Sequence, residues 1–250
     1  MSMTVIVVAI VMLLLVGISV SSYVQQREHA AAERRQRIAQ HRACVRDGQE
    51  MLDLGATLPF DASVRDVLLD YMGNHLIAIR DLDPATPNVD ESINFVSQQR
   101  NKPLAQSELR LPTQTEELTA LRTQLHRLTE FVARLRADTK VNTAKAQQAF
   151  QYLARLRLRC DVEGHLKLAQ LALMNKQVAL AMQYAKYAYD RMVQENISDS
   201  YVQEQMSNCQ SITQEIRSAQ ALESGETPPI EQTDEAPVEV DNLFGQKKKW

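Results

Sequence analysis

The chain has 250 residues, with 28 basic and 31 acidic side chains and a net charge of −3. Gly (7), Pro (8) and aromatics (5%) are scarce while Leu, Ala, Gln, Glu and Arg abound, which favours helices over sheets and gives an all-α class. The near-balanced charge excludes a strongly basic nucleic-acid domain, and three isolated cysteines (Cys44, Cys160, Cys209) exclude a disulfide framework or CxxC site.

Residues 4–24 carry no charge, and 5–18 are almost unbroken Val, Ile, Leu, Met and Ala. As a helix this run reaches roughly 30 Å, the thickness of a bilayer core. No charge precedes it, and Arg27, Arg34, Arg35, Arg37, Arg42 and Arg46 follow it. The positive-inside rule then predicts a single-pass inner-membrane anchor over 1–24, N-terminus outside and body in the cytoplasm. A cleaved signal peptide is the alternative, but the basic n-region is missing.

Residues 25–54 predict a polar, membrane-proximal helix with sparse apolar positions, Ile38, Val45 and Leu52, one per heptad. Arg27, Arg34, Arg35 and Arg37 are candidates to touch anionic lipid headgroups; topology and solvation also account for them. Short helices and Pro-containing loops are expected over 55–112. Gly55 is the stop, Asp61 the next N-cap, 62–82 an amphipathic helix ended by Asp83-Pro84, and 90–101 a shorter one.

From 113 to 160 the spacing predicts a long heptad-patterned helix. Leu118, Leu121, Leu125, Leu128, Val132 and Leu135 alternate by three and four, an a/d seam suited to self-association as a homodimer. A bundle helix whose seam meets its own chain fits equally. The seam turns polar or small at Thr139, Asn142, Ala146 and Ala149, which reads as a close approach, a break or a polar layer.

Residues 164–190 read GHLKLAQLALMNKQVALAMQYAKYAYD, two helical stretches about a turn at Asn175-Lys176. Leu168 and Ala169 form a large-then-small pair, and Ala181 and Ala188 keep the second stretch slim. The segment resembles one tetratricopeptide-type helical hairpin. It departs from that family at His165 and Ala172, where aromatics are usual, and at Val193, where Pro is common. The resemblance implies a protein-interaction scaffold; an ordinary Ala-rich helix pair is the plainer alternative. A helix over 199–221 is expected to cap the hairpin, completing a region at 161–222.

Residues 223–250 hold seven acids against three lysines, and 223–242 are rich in Pro, Glu, Thr and Asp, the composition of a disordered tail. Its tip brings Leu243, Phe244 and Trp250 beside three lysines, a candidate motif for a partner's groove or for a membrane interface; an inert end also fits.

Chemistry is sparse. The histidines at 29, 41, 75, 126 and 165 make no HExxH pair, and Asp81, Asp83, Asp90 and Glu91 lack the spacing of a calcium loop. No phosphate loop or nucleophile elbow occurs. No catalytic, cofactor-binding or metal residue is assigned. The expectation is a non-enzymatic, membrane-anchored scaffold that binds protein partners at the cytoplasmic face of a bacterial-type inner membrane. Its alternative is a self-associating coiled-coil protein of envelope or division organisation.

Overall fold

The structure, a computed structural model, describes residues 3–103, 108–137, 141–195 and 199–224, with side chains between 21 and 222. Among the described residues the chain is all-helical: α1 (Met3–Asp53), α2 (Ala62–Leu82), α3 (Val89–Arg100), α4 (Thr115–Arg136), α5 (Thr143–Met174), α6 (Val178–Glu195) and α7 (Ser200–Ser224), with a 3-10 turn at Leu54–Ala56. The chain divides into two compact units. One is Met1–Asp53 with Arg65–Pro103, the other Leu54–Val64 with Leu104–Trp250.

The transmembrane expectation is corrected. No helix among the described residues is long and apolar enough to cross a membrane. The 1–24 run is not an element of its own: residues 3–24 are the opening turns of the 51-residue α1, continuous with the charged stretch that follows. The described side chains of α1 include Arg27, Glu28, Glu33, Arg34 and Arg35, so they offer no uninterrupted apolar span. The single-pass, inner-membrane placement falls with it. The side chains of residues 1–20, on which the expectation rested, lie outside the described residues. So do Leu243, Phe244, Trp250 and the rest of the tail from residue 225.

In the first unit, residues 21–37 of α1 are exposed all round. Ile38 then enters a core with Leu69, Met72, Leu76, Ile79, Val89 and Val96, joined at its edge by Val45 and Leu52. The one-per-heptad seam of α1 is thus where α2 packs. The helices approach closely at Gly48, where an added Cβ would lie 2.6 Å from Met72 Cγ. Gly55 falls in the 3-10 turn that ends α1, and Asp83 ends α2 before Pro84, both at their expected places.

The second unit is built on α4 to α7. The long helix expected over 113–160 is instead two helices: α4 ends at Arg136 and α5 begins at Thr143. Asn142 explains the restart: its side chain accepts the Lys145 N–H at 3.1 Å, a capping bond that starts α5 and competes with continuing α4. Partners along the two helices run in opposite order. Leu118 lies against Gly164, Arg122 against Asp161, and Arg136 donates to Gln147 at 3.1 Å. The pair is therefore an antiparallel hairpin.

A left-handed Lys176 (φ 60°) turns α5 into α6. The Gln177 N–H closes on Ala172 O at 2.8 Å and the Lys176 N–H on Leu173 O at 2.9 Å, the paired bonds of a Schellman stop. The turn falls at Asn175-Lys176, and residues 164–174 are the end of the 32-residue α5, not a separate short helix. Ala169, Ala181, Ala185 and Ala188 are fully buried, so the helix axes can approach closely. Asp199 caps α7 through the Val202 N–H at 2.9 Å, and this bond holds its carboxyl below the usual range. Val202, Cys209, Ile212 and Ile216 close the core over α5 and α6.

Candidate functional site

Two polar features of the second unit are candidates: a charged cluster inside the α4–α6 stack and a groove between α5 and α7. The cluster centres on Asp161, only 1% exposed. Its Oδ2 accepts from Arg191 Nε at 3.1 Å, and Arg122 Nε stands 2.7 Å from Oδ1. The second contact is an ion pair whose N–H is not aligned for a hydrogen bond, so Oδ1 has charge compensation without a directed donor. Arg122 also reaches the Tyr187 hydroxyl at 2.5 Å and lies 5.3 Å over its ring. His165, one turn beyond Asp161, stacks on Tyr187 with centroids 4.1 Å apart and donates through Nδ1 to Asp161 O at 2.6 Å.

The electrostatics of this cluster keep its ion pairs charged and its imidazole and neighbouring thiols neutral. Burial works against the charge of Arg191, but Asp161 and Glu195 more than offset it and the guanidinium's pKa rises. Burial lowers the pKa of His165, against the pull of the Asp161 carbonyl, so the imidazole is held neutral. The neighbouring Cys160 thiol is pushed up to about 12 and Cys209 to about 11, both chiefly by burial, which keeps them protonated and unreactive. Among the described residues no group of three or more His, Cys, Asp or Glu side chains is placed to hold a metal. The Asp161 carboxylate thus ties α5 to Arg122 on α4 and Arg191 on α6.

The groove runs between α5 and α7 and encloses about 480 Å³. Leu166 and Ile212 line it and are nearly buried. Two of its three charged side chains are committed: Glu163 accepts from Arg159 at 2.9 Å and Tyr201 at 3.0 Å, and Lys167 donates to Leu111 O at 2.7 Å. Burial and Glu163 together raise the Tyr201 pKa, so its hydroxyl stays a donor. What remains is the Glu215 carboxylate and a row of carboxamides and a hydroxyl, Gln170, Gln205, Asn208 and Ser211, in which Asn208 donates to Gln205 at a long 3.5 Å. A carboxamide both donates and accepts, which matches the alternating N–H and C=O of an extended peptide.

Of the seam residues, Leu118, Leu125, Leu128, Val132 and Leu135 are buried within the chain's own second unit. Leu121 is half-buried and lines a shallower groove of about 450 Å³ with Thr57, Arg110, Leu111 and Gln124. Arg27, Arg34, Arg35 and Arg37 are exposed on α1; Arg27 lies 6.0 Å over the Tyr23 ring and Arg37 pairs with Glu33 at 3.9 Å. The structure does not gather these four into one site.

Sequence reasoning missed Asp161, Arg122 and Arg191. One signal was available: Asp161 sits between Cys160 and Val162 on a helix whose neighbouring positions pack inward, where a lone acid needs a cation. Gln170, Gln205 and Asn208 gave no signal, being ordinary polar helix residues until α7 lies across α5. No protein-family model, curated protein or solved structure matches the chain.

Proposed function

We propose that the chain is a non-enzymatic helical adaptor that holds an extended segment of a protein partner in the α5–α7 groove. The observation that carries this reading is the row of Gln170, Gln205, Asn208 and Ser211 over the Leu166 and Ile212 floor. Side-chain amides read a peptide backbone, and the apolar floor takes an alternate side chain, as in other extended-peptide modes. The tetratricopeptide-like reading of 164–190 belongs to this proposal, supported by the buried alanines between α5 and α6. The clamped Asp161 and the protonated thiols favour a scaffold over a catalyst. Burial of the α4 seam favours a bundle over a coiled-coil dimer.

A photo-crosslinking residue at Ser211 in the full chain tests the reading in living cells. The expected result is a discrete adduct that disappears when Asn208→Trp fills the groove, with none from a crosslinker at exposed Gln151 on α5. Equal adducts from Ser211 and Gln151, or an adduct indifferent to Asn208→Trp, would refute it.

A further inference from the structure

A second groove lies wholly within the first unit. It encloses about 680 Å³ between α1 and the turn after α2. The α1 wall presents Arg35, Ile38, Ala39, Arg42, Ala43 and Arg46, one face of the helix at steps of three and four. The small Ala39 and Ala43 leave the space open, and the three arginines rise from it. The other wall is a fixed turn. Asp83 Oδ1 accepts the Ala85 N–H at 3.2 Å, and the Thr86 N–H closes on Asp83 O at 3.1 Å.

The charge of this groove is unspent. Among the described residues no carboxylate pairs with Arg35, Arg42 or Arg46, whereas Arg37, on another face of the same helix, is paired with Glu33. Asp83 is the one acid in the lining. Three unpaired guanidiniums against one carboxylate, around a concave apolar floor, leave a net positive charge that attracts an anion, and each can hold a carboxylate or phosphate through two parallel N–H donors.

Spacing and lining select the class of anion. Arg35 and Arg42 are about 10.5 Å apart along the helix axis, and Arg42 and Arg46 about 6 Å. A lone phosphate cannot span these points, so a ligand that meets all three is elongated. No aromatic ring lines the groove, so a nucleic-acid strand would find no surface on which to stack its bases. Ile38, Ala39, Ala43, Ala85 and Pro87 instead suit small aliphatic groups set between the charges. We infer that this groove binds an acidic peptide segment of a protein partner, with carboxylates on Arg35, Arg42 and Arg46 and small apolar side chains between them. The site shares no residue with the α5–α7 groove, and its test is independent of that reading.

The test is fluorescence anisotropy on the full chain with a labelled 14-residue Glu-Ala repeat as the probe. Expected are saturable binding that weakens with added salt, a loss of at least tenfold in affinity for Arg42→Glu, and further loss for the Arg35→Glu/Arg42→Glu/Arg46→Glu variant. Arg34→Glu changes the same net charge on exposed α1 outside the groove and should leave binding within twofold. Because all three groove arginines are exposed, circular dichroism should show unchanged helix content in every variant. The proposal is overturned if Arg34→Glu weakens binding as much as Arg42→Glu, if a Lys-Ala repeat binds as well, or if labelled oligo(dT) binds more tightly than the Glu-Ala peptide.

Discussion

Lys176 holds a left-handed backbone, φ 60°, at the position where helix stops most often use glycine. A Cβ in that region costs about 1 kcal/mol, so Lys176→Gly should stabilise the second unit by about 0.5–1 kcal/mol, read as a higher urea midpoint with unchanged slope. Asp161 predicts the opposite sign. Asp161→Asn removes the anion between Arg122 and Arg191, both of which retain some solvent, and should cost about 2–4 kcal/mol in chemical denaturation. His165 predicts a pH effect. Its pKa is lowered from 6.5 in the folded chain, so on acidification the unfolded chain takes up the proton first. The stability from its neutral form is fully present above pH 6.5 and is lost as pH falls through the lowered value. Between pH 7.5 and 5.5 the thermal midpoint should therefore drop, and His165→Phe, which keeps a ring on Tyr187, should drop less; an equal drop would remove His165 from the account.

Helices meet closely where a side chain is missing. A Cβ on Gly164 would lie 2.6 Å from Leu118 Cδ1 and 3.0 Å from Cδ2, and Leu118 is almost fully buried. Gly164→Ala gains helix propensity of about 1 kcal/mol but must push Leu118 from its place, with a cost of about 1–3 kcal/mol. The net expectation is destabilisation. Leu118→Ala alone should cost about 2–5 kcal/mol, and in the double variant the new methyl occupies part of the vacated space. The two effects should combine to less than their separate total by at least 0.5 kcal/mol in a double-mutant cycle, the sign of direct contact. Additive effects would place the α4–α5 crossing elsewhere. The same elements show what periodicity conveys. Ile38, Val45 and Leu52 are legible as a packing seam because the repeat itself marks a helix face. Asn142 is not, because a polar residue inside a heptad run reads alike as a buried layer or as a cap until the Lys145 amide is seen on it.

At the scale of the whole molecule, the leucine seam of α4 is used inside the chain. Leu125 and Leu128 are fully buried, and the half-buried Leu121 lines a groove. A buried aspartate without a partner is among the most costly substitutions, so Leu125→Asp should destabilise by more than about 4 kcal/mol and abolish cooperative melting of the second unit. Sedimentation separates this from the alternative: a folded variant that merely changes from dimer to monomer would show the seam to be an interface between copies. As proposed binding sites, the two grooves are expected to bear on partners rather than on folding. Their Gln, Asn, Ser and Arg side chains are largely exposed, so substitutions there should alter binding while shifting stability by less than about 0.5 kcal/mol.

Helix content, the ends of α1 and α2 at Gly55 and Asp83, and the apolar faces of α2 and α4 follow from the sequence alone, whereas the burial of the α4 face inside its own unit does not. The former depend on local forces: hydrogen bonds four residues apart, caps, the restriction before proline, and the period of apolar side chains. The meeting of Asp161 with Arg122 and Arg191, the row of carboxamides between α5 and α7, and the interruption of the long heptad run needed the tertiary structure. Each joins residues far apart in the chain, and the angle and depth at which helices cross decide which side chains meet. The fate of the apolar N-terminal run shows the same division: length and hydropathy make a stretch eligible to be a separate membrane element, whereas in the fold it is the beginning of a longer helix that continues through charged residues.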